Sequence, residues 1–116
     1  MPLPKLIRIV PGSKGGNARF DPATLAAVAG DVITWSNTDP KIAHWPILTA
    51  IKTAAGKVDQ MDPNYFTPNT IAPGTTSNDF RPGDTETTTL YYRCSTHPKE
   101  RGQIVVEPAG APHVTG

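Results

Sequence analysis

A single cysteine, Cys94, stands in this chain of 116 residues, so no internal disulfide can form and cysteine pairing carries no information about redox compartment. Methionine is almost as scarce, with 2 residues. Charged residues make up only 18% of the chain, and acids and bases are interspersed to a formal net charge of +1. That pattern lacks the basic stripe that grips nucleic acid. No apolar run is long enough to cross a bilayer as a helix. The opening "MPLPKL" has neither the basic nor the apolar region of a secretory signal. No Ser–His–acid set is evident, and "PGSKGG" lacks the spacing of a phosphate-cradling loop, so it reads as a turn.

What is abundant is punctuation: 13 prolines and 10 glycines, which interrupt helices and serve turns. The expectation is an all-β fold in one domain over residues 1–108, with 109–116 as a flexible tail. "KLIRIV" (5–10) reads as a strand. "RFDPATLAAVAGD" has the Ala and Leu content of a helix but follows Pro22 and runs directly into a strand, so an irregular extended edge is expected. "VITWSN" (32–37) alternates with period two, placing Ile33 and Trp35 on one face and Val32, Thr34 and Ser36 on the other. Residues 48–73 are the least legible: "ILTAIKTAAGKVDQ" fits a short helix or a strand with a turn, and "MDPNYFTPNTIAPG" a loop. "TTSNDF", "TETTTLYYRC" and "GQIVVEP" then read as strands, with "RPGD" as a turn. Short strands at turn-punctuated spacing argue for a β-sandwich.

The chemistry-bearing residues gather in "CSTHPKE" (94–100) and in "AHW" (43–45). One thiolate with two imidazoles is the trigonal donor set of electron-transfer copper sites. A structural zinc site calls for paired cysteines or a helical pair of histidines, and neither is present. Cys94 and His97 share one tight loop, whereas His44 lies 50 residues before the cysteine, a separation suited to two loops meeting at one end of a sandwich. Strands before Cys94 and after Gly102 would hold the loop at both ends, giving the small reorganisation that rapid electron transfer needs.

The strand "GDVITWSN", the histidine that follows it, and the later "YYRCSTHPKERGQIVVE" together resemble the cupredoxins, the blue-copper family. The likeness runs from Arg19 to Glu107 and is poorest over 48–73; the ligand loop is closest in length to the amicyanin type. It implies a Greek-key β-sandwich with a poorly defined insertion after the first histidine. It also implies one copper per chain, cycling between Cu(II) and Cu(I), with His44, Cys94 and His97 as equatorial ligands. One-electron carriage follows as the expected function. Redox partner proteins would dock near His97 on an apolar patch with Pro46, Pro98 and Trp45. The setting implied is periplasmic or extracellular, with the signal peptide removed.

This chain departs from the family at two positions. Glu100 occupies the axial place that methionine normally fills. A carboxylate is a harder, anionic donor than a thioether, so it should bind closer, weaken the copper–thiolate bond and favour Cu(II). A red or purple centre is therefore expected, similar in ligand type to nitrosocyanin. Trp45 replaces the asparagine whose amide commonly ties the two ligand loops together, and an indole has one donor and no acceptor. Plainer readings stand beside these. A lone cysteine is most often a small buried residue, and an isolated histidine a structural one. Glu100 between Lys99 and Arg101 also reads as a solvated loop charge, which would leave the axial place to water, a carbonyl or Gln103. Met1, Met61 and His113 lie remote from the ligand loops. A tetragonal site open to nitric oxide or oxygen, and copper storage or delivery, are the alternative functions.

Overall fold

The computed structural model describes residues 4–12, 17–83 and 85–109, among which there is no helix. The expected tail and His113 therefore lie outside the described residues, apart from Ala109. Eight strands form two sheets: β1 (Pro4–Val10), β2 (Arg19–Asp21), β3 (Thr24–Val28), β4 (Val32–Asn37), β5 (Pro46–Thr53), β6 (Gly56–Asp62), β7 (Thr88–Cys94) and β8 (Arg101–Glu107). The smaller sheet runs β2-β1-β4 and the larger β3-β8-β7-β5-β6.

Period-two patterning decides which side chains enter the core. Ile7 and Ile9 of β1, Ile33 and Trp35 of β4, and Leu90, Tyr92 and Cys94 of β7 all point inward and are buried. β1 lies parallel to β4, and β3 parallel to β8, so the chain binds its N-terminal third into both sheets. The passage from one sheet to the other falls at the cis Asp21–Pro22 bond between β2 and β3.

The alanine-rich stretch forms a regular edge strand, better ordered than the irregular edge expected. Leu25 and Ala27 turn into the core while Thr24, Ala26 and Val28 face out, and every residue of β3 pairs with β8. Residues 46–62, where a helix was one option, form the β5–β6 hairpin, with Gly56 at φ +130° ending its turn. "TTSNDF" is not a strand. It runs along β4 but makes only two isolated bridges, Ser36 to Thr76 and Ile33 to Phe80. The ladder fails between them because the Ser77 hydroxyl, rather than a backbone carbonyl, accepts the Trp35 N–H at 2.9 Å. β7 begins at Thr88, later than the threonine-rich run suggested.

Aromatic rings fill the core between the sheets. Tyr92 meets Phe20 edge-on at 4.8 Å and Trp35 at 5.5 Å, and Phe66 from the long loop closes over Trp35 at 5.1 Å. Such contacts add about 0.5–1.5 kcal/mol per pair beyond area burial. The Tyr92 hydroxyl and Trp35 indole N–H are buried without reaching hydrogen-bond geometry with any partner. Burial pushes the Tyr92 phenol well above the ordinary tyrosine range, and the nearby Trp35 N–H offsets this only in part. Opposite Tyr92 in the β7–β8 pairing sits Gly102, where any Cβ would overlap the phenol ring. The absence of a side chain at 102 is what leaves room for the ring.

Candidate metal centre

His44 reaches the site on the loop that leaves β4. Its backbone is clamped to the long loop in both directions: the His44 N–H donates to Ile71 O at 3.2 Å, and the Ile71 N–H to His44 O at 2.7 Å. Asn37, the last residue of β4, reinforces the clamp by donating through Nδ2 to Ile42 O and Ile71 O, both at 2.9 Å. Its Oδ1 accepts the Asp39 N–H at 3.0 Å. The Asp39 carboxylate in turn accepts the N–H groups of Lys41 and Ile42 through Oδ1, and its Oδ2 lies 3.1 Å from His44 Nε2.

The second loop is wound on itself. Cys94 donates its N–H to Glu100 O at 2.9 Å, His97 to Cys94 O at 3.3 Å, and Glu100 to His97 O at 2.9 Å. Seven residues thus close into a compact turn pinned between β7 and β8, which aims Cys94, His97 and Glu100 at one point. The two loops are joined where Ser95 donates its N–H to Trp45 O at 2.8 Å and Pro46 pairs with Cys94. A backbone carbonyl at position 45 supplies this tie, so the missing asparagine leaves the loops connected. The Trp45 ring is half-buried and its N–H donates to Thr67 O at 3.3 Å.

One ligand-type atom from each of His44, Cys94, His97 and Glu100 lies within 4.8 Å of the other three. Cys94 Sγ stands 3.7 Å from His44 Nδ1 and 3.4 Å from His97 Nδ1. Glu100 Oε1 is 3.0 Å from His44 Nδ1 and 3.6 Å from His97 Nδ1. Ligands held about 2.0–2.3 Å from a shared ion in a tetrahedron stand about 3.3–3.7 Å apart, so these spacings fit a single ion with little movement. The donor set, one thiolate, two imidazoles and a carboxylate, suits copper by chemical type. His44, Cys94 and Glu100 are almost inaccessible to solvent, whereas the His97 side chain is 31% exposed.

Glu100 is therefore no solvated loop charge. It is 3% exposed between two exposed neighbours, and its second oxygen accepts the Ala18 N–H at 2.8 Å. Gln103 lies outside the cluster, on β8 opposite Tyr91 and Thr24, and Met61 is exposed on β6. Pro46, expected on a surface patch beside His97, is buried in β5 instead; Pro98 is exposed. Sequence reasoning missed Asp39. The available signal was its place in "NTDPK", a stretch in which an Asp side chain caps the following backbone, five residues before His44.

A two-sheet sandwich that carries this cluster where two loops meet has the cupredoxin fold, and solved structures agree. A reduced, Cu(I) form of an amicyanin mutant at pH 4 superposes with a TM-score of 0.58 at 21% identity, over 89% of this chain and 81% of that one. An oxidised amicyanin mutant gives 0.59 at 19% identity, covering 89% and 81%. A further Cu(I) amicyanin mutant gives 0.59 at 22% identity, covering 90% and 82%. No family model matches the chain, and no curated protein sequence does.

Proposed function

We propose that the protein is a mononuclear copper electron carrier whose ligands are His44, Cys94, His97 and Glu100, a red or purple type of centre rather than a blue one. The observation that carries this reading is the convergence of those donors within 4.8 Å, with a buried carboxylate and no methionine among them. Copper, when bound, supplies the one-electron change between Cu(II) and Cu(I). The chain's part is to hold a fixed donor set, exclude water from three of its members and present the edge of the fourth. Glu100 brings a negative charge that favours the more highly charged ion, so it sets a lower reduction potential than a thioether would. His97, the exposed member, is the exit for the electron, and Pro98 and Trp45 beside it suit brief docking of redox partner proteins.

Absorption and EPR spectra of the Cu(II)-loaded protein test the assignment, with Glu100→Met and Glu100→Gln alongside. The wild type should lack the dominant blue-copper band and Glu100→Met should gain it. An intense blue band that persists unchanged in Glu100→Gln would overturn the carboxylate ligation. Azide added to the Cu(II) protein separates carriage from small-molecule chemistry: an unmoved EPR spectrum supports a closed site for electron transfer, and a shifted one an open coordination position. Rapid loss of copper to a mild chelator would instead favour storage or delivery.

A further inference from the structure

β6 is the outer strand of the larger sheet and pairs only with β5, so one row of its backbone N–H and C=O groups faces outward. Such an edge is ordinarily blunted by charge or proline. Yet β6 carries Val58 and Met61, 63% and 59% exposed, the two most exposed large apolar side chains among the described residues. The strand follows a two-residue turn that closes on the pair Thr53 and Gly56. A closing pair of this kind is hydrogen-bonded. The alternation of an antiparallel ladder then turns the N–H and C=O groups of Lys57 and Asp59 outward. Beyond Asp59 the register shifts, three steps of β6 to Asp62 opposing two of β5 from Ala50 to Leu48. This bulge ends the regular edge and confines it to residues 56–59.

We propose that residues 56–59 are a pairing edge for a second copy of this chain, set antiparallel about a two-fold axis through Val58. A two-fold that joins two edge strands runs perpendicular to the sheet, so every side chain stays on its own face. The axis that pairs the outward groups of this segment passes through Lys57, Val58 or Asp59. Centred on Lys57 or on Asp59, the pairing sets two like charges directly opposite, which destabilises it. Centred on Val58, it sets Lys57 of each copy against Asp59 of the other, and each such pair exchanges both backbone hydrogen bonds. Val58 then meets its own counterpart on the other face, and its exposed surface is covered in the same step. In the single chain Lys57 Nζ rests over the Tyr91 ring at 5.0 Å, so the side chain folds back over its own sheet and leaves the edge clear.

The pairing joins two five-stranded sheets into one and closes there, because the two-fold uses each β6 edge once. It leaves the metal centre alone. Lys57 pairs with Lys52 and Lys52 with Thr89, near the start of β7, whereas Cys94 ends that strand. The two donor clusters therefore lie at opposite ends of the joined sheet, and no donor belongs to β6. An edge this short makes a reversible dimer, not a permanent one.

Sedimentation equilibrium, run with a thiol reductant over a concentration series into the millimolar range, tests the proposal. The wild type should show a reversible doubling of mass. Lys57→Asp and Asp59→Lys each place like charges opposite one another in the Val58 register, so each should self-associate roughly 5–30-fold more weakly. An equimolar mixture of these two variants restores both opposite-charge pairs and should regain the lost association, as should the double variant Lys57→Asp/Asp59→Lys with itself. Both positions are exposed, so the core is untouched, and far-ultraviolet circular dichroism checks that each variant folds. A wild type that stays monomeric throughout, single variants that associate as the wild type does, or a mixture no stronger than its components would overturn the proposal. The first of these outcomes would leave the edge to a strand of a different protein.

Discussion

Glu100 Oε2 accepts the backbone N–H of Ala18 at 2.8 Å, a bond that joins the ligand loop to a segment 82 residues earlier, just before β2. The same side chain thus faces the donor cluster with one oxygen and serves the fold with the other. Removing it leaves a buried N–H without a partner, which costs about 1–3 kcal/mol. In the metal-free protein Glu100→Ala should therefore be less stable than Glu100→Gln by roughly that amount, because the amide oxygen still accepts from Ala18. Urea denaturation of the two variants, with metal chelated, measures the difference.

Metal should stabilise the native chain, since its donors come together only on folding. An ion present at 100 times its dissociation constant adds about 2.7 kcal/mol. The thermal midpoint of the wild type should rise with added zinc or copper and that of Cys94→Ala should rise far less. Equal shifts in the two would mean that the ion binds elsewhere.

Gly102 admits no side chain because the Tyr92 ring occupies the space. Gly102→Ala should lower stability by about 1–3 kcal/mol, the range for overpacking a filled core. The penalty should shrink when Tyr92 is also changed to Leu, since residues in direct contact couple. A double-mutant cycle in urea reads this coupling; an additive result would place the strain away from the ring.

Tyr92 also predicts alkaline behaviour. Its phenol is held protonated in the native state by burial. Below the unfolded tyrosine pKa of about 10 this has no effect on stability. Above it the unfolded chain sheds the proton and the native chain does not, so stability falls as pH rises through that region. The Tyr92 phenol should titrate in the ultraviolet only as the protein unfolds. Tyr92→Phe should remove that late step and shift alkaline unfolding to higher pH.

Much of the architecture was legible because strand periodicity and burial agree, as at Ile33 and Trp35 in β4. The convergence of Cys94, His97 and Glu100 in the 94–100 loop was legible for a related reason: a short loop between two strands gives its side chains few directions to take. The alanine-rich β3 was harder, because its residues have the propensity of a helix and only pairing with β8 makes them a strand. The hairpin at 46–62 was ambiguous since β6 is exposed almost throughout and carries no alternation to read. Ser77 illustrates a third limit. Its hydroxyl takes a bond that a carbonyl would otherwise accept, and nothing in "TTSNDF" announces that substitution. Asp39 sits in a stretch that announces a capped turn, but nothing in one dimension says that its second oxygen reaches the His44 ring.

The wound loop from Cys94 to Glu100 has one more consequence. It carries three of the four donors, sealed by its own backbone bonds, within a segment no longer than the seven-residue strands on either side. The donors are thus concentrated in a cassette, while His44 arrives separately, on the loop that leaves β4. Substitutions within this one segment can therefore change three of the four donors while the sheets that frame it keep their sequence on either side.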